Sequence, residues 1–297
     1  TITVVLDANG AATITSSDVV SSVTDNCTTS PTVSISPSTF DCDDIGSNTV
    51  TITATDGAGN ATTATKSVTV VDNTAPSIAV VSSAVTVALD ANGAATITSS
   101  SVMSSTSDNC TSSPTVTITP STFSCSDLGS NTVTITSTDG SGNATTATKA
   151  ITVVDNTAPT ITANAATLTL DANGVAVLSS SAATAADNCS SSPSISYSQS
   201  TFTCADLGSN SVTVTATDAS GNAATATMTV TVQDNTAPTI TTLSGTVTIA
   251  LDANGAATIT SSDVVSATTD NCSSTLTVSV SPSTFDCDDI GSNTVTI

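Results

Sequence analysis

The sequence lacks several residue types on which much protein chemistry depends. It contains no histidine, arginine, glutamate or tryptophan, and its only side-chain cations are Lys66 and Lys149, against 24 aspartates. Without imidazole there is no histidine base to activate a nucleophile and no histidine ligand for a metal. A net charge of −22 leaves nothing to neutralise phosphates, which argues against nucleic-acid partners and anionic membranes. The composition therefore predicts that the protein is not an enzyme and that this segment does not insert directly into a membrane.

The residues that are abundant favour β-structure. Threonine and serine supply 65 and 50 of the 297 residues, while glutamate and arginine, which are good helix formers, are absent. Threonine and valine are β-branched and prefer strands to helices. We expect an all-β fold.

Four copies of one pattern follow one another along the chain. Leu-Asp-Ala-Asn-Gly begins at positions 6, 89, 170 and 251, and Asp-Asn-Thr-Ala-Pro begins at 72, 155 and 234. A period of about 80 residues suits a small domain and is too long for a solenoid rung. Because the first and last copies begin or stop in mid-strand of this pattern, we expect an excerpt of a longer array. The predicted domains are 1–74, 75–157, 158–236 and 237–297.

Short strands separated by turn signals are predicted within each copy. In the second copy threonine alternates with valine or isoleucine, and Asn-Gly and Asp-Gly-Ser-Gly-Asn mark turns. Five to seven such strands predict tandem immunoglobulin-like antiparallel β-sandwich repeats, strung into an extended rod. The strands predicted for the second copy are 77–81, 84–89, 94–98, 115–119, 131–138 and 144–154.

Eight cysteines fall into four pairs, and the members of every pair are 15 positions apart although the repeat length varies. This constant spacing predicts one local disulfide per copy, closing a loop around the strand at 115–119 and its equivalents. No pair has the two-residue spacing of a zinc site, and disulfides indicate secretion. The predicted bridges are Cys27–Cys42, Cys110–Cys125, Cys189–Cys204 and Cys272–Cys287.

Aspartate and asparagine are concentrated in turns. Ca²⁺ takes six to eight oxygen ligands, and short carboxylate and amide side chains on turns supply them. In an immunoglobulin-like sandwich the loop with Asp108 and the turn with Asp139 lie at one pole, facing the linker with Asp72. We therefore predict one Ca²⁺ at each junction between copies. The candidate ligands are Asp72, Asn73, Asp108, Asn109, Asp139, Asp155, Asn156, Asp187, Asn188, Asp218, Asp234, Asn235, Asp270 and Asn271.

An alternative interpretation is that these side chains only cap turns and bond their own backbone. That is the role we assign to the aspartate of Leu-Asp-Ala-Asn-Gly in each copy. These four residues are Asp7, Asp90, Asp171 and Asp252.

The stretch from Phe40 to Pro76 contains G-S-N-T-V-T-I-T-A-T-D-G-A-G-N and ends V-V-D-N-T-A-P. It resembles the HYR (hyalin repeat) domain, and still more the HYR-like immunoglobulin-type repeats of giant bacterial surface adhesins of the SprB type in the Bacteroidota. The resemblance covers every copy, although the cysteine expected shortly after Gly-Asn is absent from 61–70. It implies long, secreted, repetitive surface filaments used for adhesion, often in a calcium-dependent way.

These observations together predict a structural stalk or filament segment of a secreted bacterial cell-surface adhesin, stiffened by Ca²⁺ and held by disulfides. Its expected partners are neighbouring repeats, other copies of the filament, or surface glycans. The alternative is a subunit of a polymeric extracellular matrix or sheath that is glycosylated. Sequons for N-linked glycans occur at Asn26, Asn60, Asn109, Asn143, Asn188 and Asn271.

Overall fold

The computed structural model describes residues 2–297, and its regular secondary structure consists mainly of β-strands. The chain divides into two compact units, residues 1–156 and 157–297, and each unit holds two copies of the repeat. The α-helices among the described residues are single turns: α1 (Ser16–Val19), α2 (Ser99–Val102) and α3 (Ser261–Val264). Short 3₁₀ turns lie at Cys42–Asp44, Cys125–Asp127, Ser180–Ala182, Cys204–Asp206 and Cys287–Asp289.

Fourteen strands lie among the described residues of the first unit. Those of the first copy are β1 (Ile2–Val5), β2 (Ala12–Thr13), β3 (Thr32–Ser36), β4 (Thr39–Phe40), β5 (Gly46–Thr55) and β6 (Ala61–Val71). Those of the second copy are β7 (Ser77–Val80), β8 (Val85–Ala88), β9 (Ala94–Thr96), β10 (Met103–Ser107), β11 (Thr115–Thr119), β12 (Thr122–Ser124), β13 (Gly129–Thr138) and β14 (Ala144–Val154).

The second copy has the full sandwich arrangement. Its larger sheet has the strand order β11-β13-β14-β8, in which β8 runs parallel to β14 and the other pairs are antiparallel. Two smaller antiparallel pairs, β7 with β10 and β9 with β12, complete it. In the first copy β3, β5, β6 and β1 form the corresponding sheet.

The second unit repeats this pattern in its third copy, where the sheet order is β16-β22-β21-β19. The strands of this copy are β15 (Thr160–Ala163), β16 (Ala166–Thr169), β17 (Val175–Val177), β18 (Ala183–Ala186), β19 (Ser194–Tyr197), β20 (Thr201–Thr203), β21 (Gly208–Thr217) and β22 (Ala223–Gln233). The fourth copy has β23 (Thr239–Thr242), β24 (Ala257–Thr258), β25 (Val265–Thr269) and β26 (Thr284–Phe285).

Strand alternation builds the core. In the second copy Val133 and Ile135 of β13 and Ile151 and Val153 of β14 are at most 2% exposed, whereas the threonines of these strands are exposed or half-buried. The single phenylalanine of each copy is buried as well. These residues are Phe40, Phe123, Phe202 and Phe285.

The same alternation continues past the strand ends and turns two aspartates inward. In β6 the buried position Val70 is followed two residues later by Asp72, and in β13 the buried Ser137 is followed by Asp139. Successive residues of a strand face opposite sides, so Asp72 and Asp139 continue the buried faces. They are 4% and 7% exposed.

The aspartate of each Leu-Asp-Ala-Asn-Gly segment forms the turn that follows it, which confirms the predicted role. In the second copy the Asp90 carboxylate accepts hydrogen bonds from the backbone N–H groups of Asn92, at 2.8 Å, and Ala94, at 3.0 Å. The bonds from Ala94 and Asn92 lower the pKa of Asp90 from its ordinary value of 3.8, because they stabilise the charged form.

We expect Phe123→Ala to destabilise the first unit by about 3–5 kcal/mol, because it removes a buried aromatic ring and leaves a cavity. The control is Thr122→Ala at the exposed neighbouring position, which should change stability by less than about 0.5 kcal/mol. Urea unfolding followed by circular dichroism measures both. Equal midpoints for the two variants would contradict the assignment of Phe123 to the core.

We expect the stabilising effect of Asp90 to depend on pH. Its folded pKa lies below the unfolded value of about 3.9, so the stabilisation is complete above that value and disappears as pH falls through the folded pKa. The difference in unfolding free energy between the wild type and Asp90→Asn should therefore be constant from pH 7 to 5 and shrink under acid conditions. A difference that persists undiminished at pH 2 would contradict this role.

Candidate metal site at the joint between copies

Three carboxylates from three separate segments meet where the first copy joins the second. Asp72 opens the linker after β6, Asp108 lies in the loop after β10, and Asp139 begins the turn between β13 and β14. One carboxylate oxygen from each residue lies within 4.8 Å of the others. The structure therefore brings together the three aspartates that the sequence analysis placed at one pole.

Asp72 and Asp108 each use one carboxylate oxygen to accept hydrogen bonds from the backbone of their own turn. Asp108 Oδ2 accepts hydrogen bonds from the backbone N–H groups of Cys110, at 3.0 Å, and Thr111, at 2.8 Å. Asp72 Oδ1 accepts from the N–H of Thr74 at 3.0 Å. Turn capping thus accounts for one oxygen of each of these two carboxylates.

The second carboxylate oxygen of Asp72 and that of Asp108 have no hydrogen-bond partner. Asp72 Oδ2, Asp108 Oδ1 and the side-chain oxygen of Asn109 are all buried and accept no hydrogen bond. Burying a charged group without compensation costs several kcal/mol per ion. The ammonium group of Lys149, one of only two in the sequence, donates to the carbonyl oxygen of Val81 at 2.6 Å.

This donor set fits a hard divalent cation. Ca²⁺ binds oxygens at 2.3–2.6 Å, so two oxygens on one ion lie at most about 5 Å apart, which agrees with the separations observed. Carboxylate and amide oxygens without nitrogen or sulfur suit Ca²⁺ better than Zn²⁺. The residues that would hold the ion are Asp72, Asp108, Asn109 and Asp139.

Asn143 holds the site together, a role that the sequence analysis missed. Its side-chain N–H group donates to Asp139 Oδ2 at 2.7 Å and to the backbone carbonyl of Asp72 at 3.0 Å. The amide of Asn109 likewise donates across the joint to the carbonyl of Asp7, at 3.0 Å. Because both amide nitrogens are engaged inside the joint, these two sequons are poor sites for glycans.

The remaining predicted ligands of the first unit differ in burial. Asp155 is 5% exposed at the end of β14. The linker asparagines Asn73 and Asn156 are exposed, and their assignment as ligands stays a prediction.

In the second unit Asp187 and Asp218 are brought together, with carboxylate oxygens within 4.8 Å of one another. Asp187 Oδ1 is buried and accepts no hydrogen bond, like its equivalent Asp108. Burial raises the pKa of Asp218, but hydrogen bonds from the side chain and backbone of Asn222 outweigh it, so the net shift is downward. Asp218 therefore remains charged at neutral pH.

The other predicted ligands of the second unit lie in the same kinds of segment. Asp270 Oδ1 caps its loop by accepting from the N–H groups of Cys272 and Ser273. The side-chain oxygen of Asn271 is buried without a partner. Asn188 and Asp234 are half-buried, and the linker asparagine Asn235 is exposed, so its assignment as a ligand also stays a prediction.

The disulfides correct the predicted pairing. Cys42 of the first copy bonds Cys110 of the second, with Cα atoms 5.2 Å apart, and Cys204 of the third copy bonds Cys272 of the fourth, with Cα atoms 5.3 Å apart. Cys27 and Cys287 are free, and Cys125 and Cys189 are disulfide-bonded as well. The four bridges predicted within copies were therefore wrong: Cys27–Cys42, Cys110–Cys125, Cys189–Cys204 and Cys272–Cys287.

The error has a geometric cause. Cys110 precedes β11 and Cys125 follows β12, so a strand that crosses the sandwich lies between them. Five residues of strand span about 17 Å, whereas the Cα atoms of a disulfide lie within about 7 Å. The two cysteines of one copy therefore leave the sandwich at opposite poles, where each can meet a neighbouring copy.

The loop of the second copy that contains Asn109 and Cys110 packs directly on the Leu-Asp-Ala-Asn-Gly turn of the first copy. Gly10 has φ +74°, a conformation that favours glycine. A Cβ atom at this position would lie 2.5 Å from Cys42 Sγ and 3.1 Å from the carbonyl oxygen of Asn109. Glycine is thus required both by the turn and by the approach of the second copy.

No protein-family model matches the chain, and no curated protein matches its sequence. Similar solved structures include the protocadherin gammaB7 EC3-6 cis-dimer, with 16% identity over 73% of this chain and 64% of that one, and a TM-score of 0.33. The protocadherin gammaB4 extracellular domain has 16% identity over 85% of this chain and 51% of that one, with a TM-score of 0.35.

Sidekick-1 immunoglobulin domains 1–4 are 11% identical over 78% of this chain and 73% of that one, with a TM-score of 0.31. This chain covers 64% and 51% of the two protocadherin chains, which is less than two thirds of the length of each. Values this low assign the chain to no family.

Among the described residues, no helix is both long enough and apolar enough to cross a membrane.

We expect the double variant Cys42→Ser/Cys110→Ser to lose about 4 kcal/mol of stability, from the chain entropy that a bridge across 68 residues restricts. Cys27→Ser removes a free, exposed thiol and is the matched control with little effect. Chemical unfolding measures both. Digestion at aspartate without reductant, followed by mass spectrometry, should recover Cys42 linked to Cys110. Recovery of Cys27 linked to Cys42 would contradict the structure.

Proposed function

We propose that this chain is a stalk segment of an extracellular adhesin, in which Ca²⁺ stiffens the joints between tandem β-sandwiches and disulfides hold the sandwiches together. The observation that carries the proposal is the joint between the first two copies. There, buried oxygens of Asp72, Asp108 and Asn109 have no hydrogen-bond partner, and one carboxylate oxygen each of Asp72, Asp108 and Asp139 lies within 4.8 Å of the others.

An ion at this joint would add a link between the linker and two loops of the second copy, beside the hydrogen bonds of Asn143 and the Cys42–Cys110 disulfide. Asp72 belongs to the linker, whereas Asp108 and Asp139 belong to two loops of the second copy. Without a cation these carboxylates repel one another and favour separation of the linker from the loops. With Ca²⁺ bound, the same oxygens hold the two copies in one orientation.

The disulfide across the joint supports an extracellular location. Structural disulfides persist in oxidising compartments and are rare in the cytosol. Extracellular calcium modules typically bind at about 10⁻⁴ to 10⁻³ M, so ambient calcium would fill such sites outside a cell and leave them empty inside. The chain would therefore be pliable during export and become stiff afterwards.

The bacterial surface as the location is proposed from the sequence resemblance. The motifs G-S-N-T-V-T-I-T-A-T-D-G-A-G-N and D-N-T-A-P are similar to HYR-like repeats of large adhesins. A matrix or sheath subunit is the alternative function. A stalk predicts isolated rods in electron micrographs of the oxidised protein, whereas a sheath predicts ordered side-by-side arrays.

We expect Ca²⁺ to bind the wild-type chain at about 10⁻⁴ to 10⁻³ M in isothermal titration calorimetry. Asp72→Asn, Asp108→Asn and Asp139→Asn should each reduce the stoichiometry by one ion, because each removes a charge from the same site. Asp25→Asn is the matched control, since Asp25 occupies the loop position of Asp108 in the first copy but is exposed. Equal stoichiometry in all four variants would contradict the site.

We expect calcium to narrow the distribution of distances between the first and second copies. Spin labels attached to cysteines at positions 51 and 148, where Thr51 and Thr148 are exposed strand residues, would report this distance by pulsed electron paramagnetic resonance. The labelled protein would also carry Cys27→Ser and Cys287→Ser, so that these two free thiols are not labelled. Chelation should broaden the distribution, and Asp139→Asn should give the broad distribution even with calcium. Labels at Thr132 and Thr148, within one hairpin, are the control that should not change. A calcium-independent distribution for the first pair would contradict stiffening.

A further inference from the structure

Three consecutive residues of the second copy connect the candidate metal site to the disulfide across the joint. Asp108 and Asn109 each have a buried oxygen without a hydrogen-bond partner, and Cys110 forms the bridge to Cys42 of the first copy. The other carboxylate oxygen of Asp108 accepts a hydrogen bond from the N–H of Cys110 at 3.0 Å. A movement of Cys110 away from the first copy therefore displaces both oxygens.

The first copy also fixes the orientation of the Asn109 amide. The side-chain N–H group of Asn109 donates to the carbonyl of Asp7 at 3.0 Å, and the backbone carbonyl oxygen of Asn109 lies 3.5 Å from Cys42 Sγ. The amide group is planar and its nitrogen and oxygen have distinct roles, so a bond that holds the nitrogen also directs the oxygen. The side-chain oxygen of Asn109 is thus directed by a contact that the bridge maintains.

The same arrangement recurs in the second unit. The side-chain N–H group of Asn271 donates to the carbonyl of Asp171 at 3.1 Å, and its backbone carbonyl oxygen lies 3.3 Å from Cys204 Sγ. The side-chain oxygen of Asn271 is buried without a partner, and the next residue, Cys272, is bonded to Cys204. An asparagine held by the preceding copy, next to a bridging cysteine, is therefore a repeated feature of the chain.

We propose that the Cys42–Cys110 disulfide raises the Ca²⁺ affinity of the joint, and that bound Ca²⁺ in turn protects this disulfide from reduction. The inference rests on the proposed function and adds redox regulation to it. Reduction frees the loop of Cys110 from the first copy, so Ca²⁺ must then order Asp108 and Asn109 as it binds. Coupling between two sites is reciprocal, so Ca²⁺ favours the disulfide by the same factor by which the disulfide favours Ca²⁺.

Reduction occurs by exchange with a small thiol such as glutathione. One glutathione thiolate attacks a sulfur of the bridge and releases one cysteine thiolate, which leaves a mixed disulfide on the other cysteine. A second glutathione thiolate attacks the glutathione sulfur of the mixed disulfide and releases the second cysteine thiolate. The protons of the two glutathione thiols pass to the two cysteines, so the bridge is reduced as oxidised glutathione forms.

The coupling makes closure of the joint depend on two conditions at once. A reducing compartment that is poor in calcium favours the open joint, because each condition weakens the state that the other requires. Outside a cell, oxidation and calcium both favour the closed joint. Each of them then stabilises the product of the other.

The test measures the redox equilibrium of this one bridge in the full chain. The protein carries Cys27→Ser and Cys287→Ser, so that these thiols do not exchange with the bridges, and is equilibrated with reduced and oxidised glutathione. Acid quenching, alkylation and peptide mass spectrometry give the reduced fraction of Cys110. As Ca²⁺ is titrated at constant ionic strength, we expect the equilibrium to shift toward the disulfide and reach a plateau about tenfold above the chelated value. An equilibrium that calcium does not move would overturn the proposal.

Two variants assign the shift to this site and to the Asn109 contact. Asp139→Asn removes a carboxylate that lies outside the loop of Cys110, so it should raise the calcium concentration needed for half of the shift. Asn109→Ala should lower the plateau to about threefold or less, because the directed amide is lost. Asn26→Ala, at the equivalent and exposed loop position of the first copy, is the matched control that should keep the full plateau. A full plateau in Asn109→Ala would overturn the assigned route.

Calorimetric titration with Ca²⁺ separates this inference from the stalk proposal. We expect one ion to bind Cys42→Ser/Cys110→Ser about tenfold more weakly than it binds the oxidised chain, which is the factor given by the redox plateau. Equal affinity in the two proteins would overturn the coupling and leave the calcium-stiffened stalk intact. An oxidised chain that binds no calcium at this joint would overturn both.

Discussion

Repulsion among aspartates that are packed together is the constraint on which the joint depends. Asp72 and Asp108 each use one oxygen to fix their own segment, so neither carboxylate turns away without breaking hydrogen bonds to the backbone. The disulfide between Cys42 and Cys110 prevents the two copies from separating. The proposed Ca²⁺ would compensate charges that neither rotate away nor move apart, in a sequence that has only two lysines.

Very few residue types produce both the fold and this joint. The period-two alternation that buries valine and isoleucine also turns Asp72 and Asp139 inward, because they occupy the next inward positions. The Leu-Asp-Ala-Asn-Gly turn, which ends a strand in one copy, receives the next copy at Gly10. A chain of threonine, serine and valine therefore needs only a few aspartates, asparagines, glycines and cysteines at its turns to connect one sandwich to the next.

The parts that were predictable from sequence are those set by local patterns. Alternating threonine and valine identified β11, β13 and β14, and the recurring aspartates of the turns identified the carboxylate cluster. Strand β10 (Met103–Ser107) was not predicted, because it is rich in serine and lacks apolar alternation. The disulfides were mispredicted because a constant spacing along the chain says nothing about which pole each cysteine reaches. The role of Asn143 depends on the approach of the linker and has no local signal.

The most direct test of the account is a crystal structure of the oxidised chain grown with calcium, with anomalous diffraction used to locate the ion. The account predicts one anomalous peak at the joint of the first two copies, 2.3–2.6 Å from Asp72 Oδ2, Asp108 Oδ1 and the Asn109 side-chain oxygen. An anomalous map without a peak, with these oxygens bonded to water or to backbone N–H groups, would contradict it.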